Sequence, residues 1–174
     1  MILSDRDLKT LLAAGLLVIE PWEEGQLGPT SIDLRLGARL VKYRGSRLEL
    51  GKAPPASEEI AIDPRQGYEL RPGEFILGCT LERVRIPNGY QGFIETKGDI
   101  ARAGLQVHNG DGHIDPGSDH VLTLEITNLN SIPVVLYPGL FICQLFIHQL
   151  SSPCLREYRG KYFGQQGPTV YQPA

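Results

Sequence analysis

The chain has 174 residues, 41% hydrophobic and 21% charged, with a net charge of −3. That length and balance suit one globular domain spanning residues 1–174, and the mild acidity excludes a global positive field that would recruit nucleic acid. No apolar run approaches the roughly 20 residues of a membrane span, and the charged opening MILSDRDLKT is unlike a secretory leader.

A cytoplasmic, reducing setting is therefore expected. Cys79 and Cys143 lie in apolar runs and read as buried thiols. With Cys154 the count is odd, and neither a disulfide framework nor a zinc site has the required spacing. Glycine (20) and proline (13) make up about a fifth of the chain, which fits short strands joined by turns.

In chain order, LSDRDLKTLLAAG predicts an amphipathic helix. Ser4 is its N-cap, Leu8, Leu11 and Leu12 its apolar stripe, and Gly15 its stop. SIDLRLG alternates Ile32, Leu34 and Leu36 as a half-buried strand. Residues 51–59, GKAPPASEE, read as a polar loop. RPGEFILGCTLERVRIP then gives a Pro-Gly turn, an apolar run and an alternating run carrying Leu81, Val84 and Ile86. GYQGFIET follows, and IPVVLYPGLFICQLFIHQL repeats the plan of strand, Pro-Gly turn and strand. Turn signals spaced by about 8–12 residues predict an antiparallel sandwich or barrel, and the lack of intervening helices argues against a parallel sheet.

Residues 95–120, ETKGDIARAGLQVHNGDGHIDPGSDH, break this pattern. KGDIARAG predicts a short helix ended by Gly104, and NGDG and DPGSD are turn chemistry. A polar, glycine-rich excursion between core strands is where a site belongs. Directly after it, HVLTLEITN alternates Leu122, Leu124 and Ile126 on one face with Val121, Thr123 and Glu125 on the other. On the residues alone, a carboxylate in the middle of this β-branched and apolar run faces solvent on an exposed sheet, pairs with an arginine, or looks into a pocket.

GHIDPG, LTLEITN, YPG and GKYFGQQGPT, with MILSDRDL, GPTSIDLRLG and RPGEFILGCTLERVRIP, occur in order over almost the whole chain. In these the sequence resembles the dCTP deaminases of the wider dUTPase-like fold. The resemblance implies a mainly β protein: a distorted antiparallel β-barrel or jelly-roll with an N-terminal helix. It implies a homotrimer with active sites between subunits, and a mobile C-terminal tail from about residue 156 that closes over a deoxynucleoside triphosphate. No zinc is used in that family, and Mg2+ travels with the triphosphate. Deamination of dCTP to dUTP, with or without onward cleavage to dUMP, is the activity implied, without nucleic acid or membrane partners.

On that resemblance Glu125 is the proton-managing glutamate and Arg102 its catalytic companion. Asp111 contributes a backbone carbonyl, and Asp115 stands near the sugar or, in a dUTPase, orients the attacking water. Lys161 is assigned to phosphate, and Tyr162, Gln165 and Gln166 to sugar and base. His108 and His113 flank the same loop and carry no assignment.

The central motif departs from the family pattern Gly-Arg-Ser-Ser-Leu-(Ala/Gly)-Arg. Here it reads Thr96-Lys97-Gly98-Asp99-Ile100-Ala101-Arg102. Gly98 lacks the hydroxyl that holds the water, and Asp99 sets a negative charge where a serine meets phosphate. Two like charges about 4 Å apart cost roughly 1 kcal/mol in water and about 4 at an effective dielectric of 20. Asp99 as a magnesium ligand would reverse that sign. Lys97 keeps the charge of the usual arginine without its bidentate fork. Two other functions stay open on the residues: a dUTP pyrophosphatase using Asp115, and a nucleotide-binding relative impaired in catalysis.

Overall fold

The structure is a computed structural model, described for residues 1–173. Helix α1 (Asp5–Ala13) leads into β1 (Val18–Glu20), a 3-10 turn (Glu24–Gln26), β2 (Ile32–Arg35), β3 (Arg39–Tyr43), β4 (Ser57–Ala61), β5 (Tyr68–Leu70) and β6 (Phe75–Arg85). There follow β7 (Tyr90–Thr96), α2 (Gly98–Arg102), β8 (Leu105–Gln106), β9 (His113–Ile114), β10 (Asp119–Asn128), β11 (Val134–Leu136) and β12 (Phe141–Gln149). The strands form three antiparallel sheets rather than one closed barrel. The largest runs β4-β3-β6-β10-β8 with β1 also on β6, the second β2-β12-β7-β9, and the third β11-β5.

One apolar core is shared by the two large sheets and α1. Leu8 and Leu11 enter it from the helix, Ile32, Leu34 and Leu36 from β2 and its end, and Leu122, Leu124 and Ile126 from β10. Ser4 flanks α1 as expected, but its hydroxyl donates to Asp7 Oδ2 at 3.1 Å and makes no cap bond to the backbone. The Pro72-Gly73 and Pro138-Gly139 turns place their glycines at φ +70° and +83°, the position that tight turns reserve for glycine. Cys79 and Cys143 are buried, and burial pushes the Cys79 thiol up to about 11.

Two sequence expectations change. Residues 57–59 belong to β4 rather than to a loop, because they pair with β3 from Tyr43 to Val41. The alternation expected for Leu81 is reversed: Leu81 is 42% exposed and Glu82 is fully buried. Between Val121↔Arg83 and Thr123↔Cys79, two steps on β10 face four on β6, so a bulge shifts the phase of β6. Thr80 holds that bulge, donating to the Glu82 carbonyl at 2.7 Å and accepting from Leu122 N–H at 2.9 Å.

The buried Glu82 is satisfied on every side. Its carboxylate accepts from Arg35 Nε at 2.7 Å, Arg35 N–H at 2.8 Å and Gln26 Nε2 at 3.1 Å. The hydrogen bond to Glu82 leads the causes that hold the Arg35 guanidinium above its ordinary range. At the end of β10, Asn128 is also fully buried. Its amide donates to Leu70 O at 2.9 Å and Ile132 O at 3.0 Å, and its Oδ1 accepts from Asn130 N–H at 2.9 Å. The bulge and this knot fix the two ends of the strand that carries Glu125.

Candidate active site

Period-two alternation turns Val121, Thr123 and Glu125 to the partly exposed face of β10 while Leu122, Leu124 and Ile126 enter the core. Beside that strand lies a cavity of about 800 Å3. Glu125 lines it, and its Oε2 accepts a hydrogen bond from Asn109 N–H at 2.9 Å. The Glu125 backbone N–H donates to Val107 O at 2.9 Å, so the segment after β8 grips both the main chain and the carboxylate. Asn109 Nδ2 adds a bond to Thr127 Oγ1 at 3.0 Å. A carboxylate held in this way presents one oxygen to a backbone donor and leaves its remaining lone pairs for a ligand.

Asp111 and Asp115 enter the same cavity from the loop flanking β9, with His113 between them. His113 Nδ1 lies 2.5 Å from Asp111 Oδ1, and its Nε2 lies 3.7 Å from Asp115 Oδ1. His108 turns away to Glu95, 3.1 Å from its Nε2. His120 also lines the cavity, 6% exposed, and desolvation holds its pKa below the ordinary histidine value.

The C-terminal segment roofs the cavity. Tyr158 N–H donates to Pro116 O at 2.8 Å, and the Tyr158 and Phe163 rings meet the His120 ring edge-on at 6.3 and 6.4 Å. Farther along, Gln165 binds β10 through Val121 and Thr123, and Tyr171 N–H donates to the Tyr43 hydroxyl at 2.7 Å. Lys161, Tyr162 and Gln165 line the cavity. Lys161 Nζ donates to Gln172 O and lies 5.5 and 5.9 Å from the Tyr162 and Tyr171 rings. Gln166 lies outside the lining, with its carbonyl taken by Arg39.

One chain therefore brings together Glu125, Asp111, Asp115, Lys161, Tyr162 and Gln165. It does not bring the central motif to them. Lys97 Nζ is 2.6 Å from Asp33 Oδ2, and that bond is the main cause holding its pKa up. Gln144 Nε2 buttresses the same aspartate at 3.0 Å. Asp99 sits in the first turn of α2 with Oδ1 accepting from Ile100 N–H at 3.1 Å. Arg102 Nη1 folds back onto the Gly98 carbonyl at 2.9 Å, over the space a side chain at Gly98 would need. Sequence reasoning missed His120 and Tyr158. The alternation of β10 carries a signal for the first, since residue 120 falls in the inward phase with Leu122 and Leu124.

Cavity charge is mixed: three carboxylates, two histidines and one lysine. With the Glu125 carboxylate and an apolar wall formed by Ile94, Ile114 and Leu77, the cavity offers a flat polar ring both a hydrogen-bond acceptor and a surface to lie on.

A family model described as dCTP deaminase-like matches residues 2–150. The dUMP-forming dCTP deaminase of Dictyoglomus thermophilum is 39% identical over 181 residues, covering 98% of this chain and 93% of that protein. The enzyme of the same name from Mycobacterium avium is 39% identical over 178 residues, covering 97% and 94%. The crystal structure of 2′-deoxycytidine 5′-triphosphate deaminase from Agrobacterium tumefaciens shares the fold with a TM-score of 0.68 at 23% identity. That match covers 85% of this chain and 47% of the Agrobacterium chain, so this protein spans about half its length. By the extent of the family match and the identity to these relatives, the chain belongs to the dCTP deaminase-like family.

Proposed function

We propose that the protein deaminates dCTP and carries the product on to dUMP. The observation that carries this reading is Glu125, fixed by Asn109 N–H at 2.9 Å in the wall of a roofed cavity. The names of the relatives 39% identical to this chain, each a dUMP-forming dCTP deaminase, support it over a plain dUTP pyrophosphatase or an impaired nucleotide binder.

In the proposed first step a water oxygen bonds C4 of the cytosine ring while Glu125 takes one of its protons. As the ring C4–N3 π bond opens, Glu125 passes that proton to N3. It then takes the remaining proton of the new C4 hydroxyl and hands it to the amino nitrogen as C4=O forms and the C4–N bond to the amino group breaks, leaving dUTP and ammonia. Such acid–base work contributes typically about 10²–10⁴-fold in rate. In the second step water attacks the α-phosphorus, Asp115 orients it, and pyrophosphate leaves. Lys161 is the phosphate contact from the roof, and Tyr162 and Gln165 meet sugar and base, while Gln166, outside the lining, is left without that role.

Three carboxylates line the cavity against one lysine, so a triphosphate needs further positive charge there. A homotrimer that sets α2 of one subunit against the cavity of the next would supply Arg102, with Lys97, Gly98 and Asp99 beside it. Among the described residues no group of three or more His, Cys, Asp or Glu side chains is arranged to hold a metal ion. Magnesium is assigned to the substrate complex, with Asp99 as a candidate protein ligand near the phosphates. The reaction belongs to cytoplasmic pyrimidine deoxynucleotide metabolism in this reading.

The test is to supply dCTP or dUTP with magnesium and follow ammonia and pyrophosphate separately. The proposal expects both products from dCTP. Pyrophosphate from dUTP with no ammonia from dCTP would instead make the protein a dUTP pyrophosphatase. Neither product would leave a nucleotide-binding role.

A further inference from the structure

Among the described residues no strand neighbours residues 121–123 of β10 on the side away from β6, and the C-terminal segment takes that place. Val121 N–H donates to Gln165 O at 3.4 Å, and Gln165 Nε2 returns to Val121 O at 2.8 Å. Between them Thr123 makes the side-chain attachment. Its Oγ1 accepts from Gln165 Nε2 at 3.0 Å and from Thr169 N–H at 3.2 Å. One hydroxyl therefore holds the roof at two points four residues apart, on the face of β10 that carries Glu125.

The amide of Gln165 is fixed by this arrangement. Both acceptors are met by its nitrogen, so its oxygen is turned the other way. That Oε1 is buried and has no hydrogen-bond partner among the described residues. A buried carbonyl without a donor is costly unless a ligand supplies one. Gln165, Thr123 and Glu125 all line the cavity, so the free acceptor lies in the wall where a pyrimidine would sit.

We infer that Thr123 is a positioning residue, a latch that ties the C-terminal segment to β10 in the same chain and aims Gln165 Oε1 at an N–H donor of the bound pyrimidine. The inference rests on the proposed nucleotide reaction for its ligand, while the latch itself rests on the hydrogen bonds alone. Valine in place of Thr123 keeps shape and removes both accepted bonds. Serine keeps the hydroxyl and removes only a methyl group.

The experiment compares wild type, Thr123→Val and Thr123→Ser in two measurements. Amide hydrogen exchange over residues 161–172 should show faster exchange in Thr123→Val and wild-type protection in Thr123→Ser. In steady-state kinetics with dCTP, Thr123→Val should raise KM by about tenfold or more, the scale of two lost hydrogen bonds. The loss should fall on KM rather than on kcat, and Thr123→Ser should restore it. Unchanged exchange in Thr123→Val, or equal impairment in both variants, would overturn the latch. A loss confined to kcat would overturn the aiming of Gln165. If wild type turns over no nucleotide, the proposed function and the ligand of Gln165 fall together, while hydrogen exchange still decides the latch.

Discussion

The pair of partly buried Arg35 and fully buried Glu82 gives the most demanding stability prediction. Arg35→Met keeps most of the aliphatic stem and removes the charged guanidinium, whose central carbon lies 6.0 Å from the Phe141 ring centre. Glu82 then keeps its bonds from Gln26 and from the residue 35 N–H but has no counter-charge, at 0% side-chain exposure. Stranding a buried charge costs about 3–5 kcal/mol. The second bond of Arg35, to Glu23 at 2.8 Å, adds little, because Glu23 is 64% exposed and screened. Against a total stability of about 5–15 kcal/mol for an ordinary domain, the loss is large. The assay is urea unfolding at fixed protein concentration, reading the midpoint with the slope unchanged. Adding Glu82→Gln to Arg35→Met should recover most of the loss, since the stranded charge is gone. A single variant within about 1 kcal/mol of wild type, or a double variant worse than the single, would refute the reasoning.

Asn128→Ala removes three hydrogen bonds and leaves the carbonyls of Leu70 and Ile132 short of a donor. A loss of about 2–4 kcal/mol is expected in the same assay, and one under about 0.5 would contradict the account. His120 supplies a pH dependence. Burial, partly offset by Asp119, lowers its pKa in the folded chain, so the unfolded chain binds the proton first as pH falls. Stability contributed by neutral His120 is full above about pH 6.5 and declines below it, through the lower folded value. His120→Phe should flatten that decline when unfolding midpoints are compared at about pH 7.5 and 5.5; equal slopes in both proteins would exclude the assignment.

Much of the fold is legible where one physical rule governs. The alternation of HVLTLEITN sets Glu125 on the cavity face and Leu122, Leu124 and Ile126 in the core, because side chains on a strand alternate whatever the tertiary context. The same rule fails at Leu81 and Glu82. The β6 bulge depends on how β6 meets β10, and a single sequence does not carry that register. Glu82 reads as an ordinary surface carboxylate until Arg35 and Gln26 are folded against it.

The site divides in a similar way. Glu125, Asp111, Asp115 and the C-terminal segment are found together because loop and tail return to one strand. Asn109, which holds Glu125, gives no sign in the sequence, since it acts through its backbone N–H. Lys97, Gly98, Asp99 and Arg102 look like part of the site when read in line. In one chain they form a separate group tied to Asp33 and to the turn of α2 itself. Linear proximity to a motif does not determine which cavity a side chain enters.

The central claim is that the Glu125 carboxylate moves the protons of deamination. The most direct measurement is ammonia release from dCTP by Glu125→Gln, with nucleotide binding followed in parallel by thermal stabilisation. The account predicts release lowered by at least about 10²-fold while the nucleotide still stabilises the variant. Ammonia release at the wild-type rate from Glu125→Gln would contradict it.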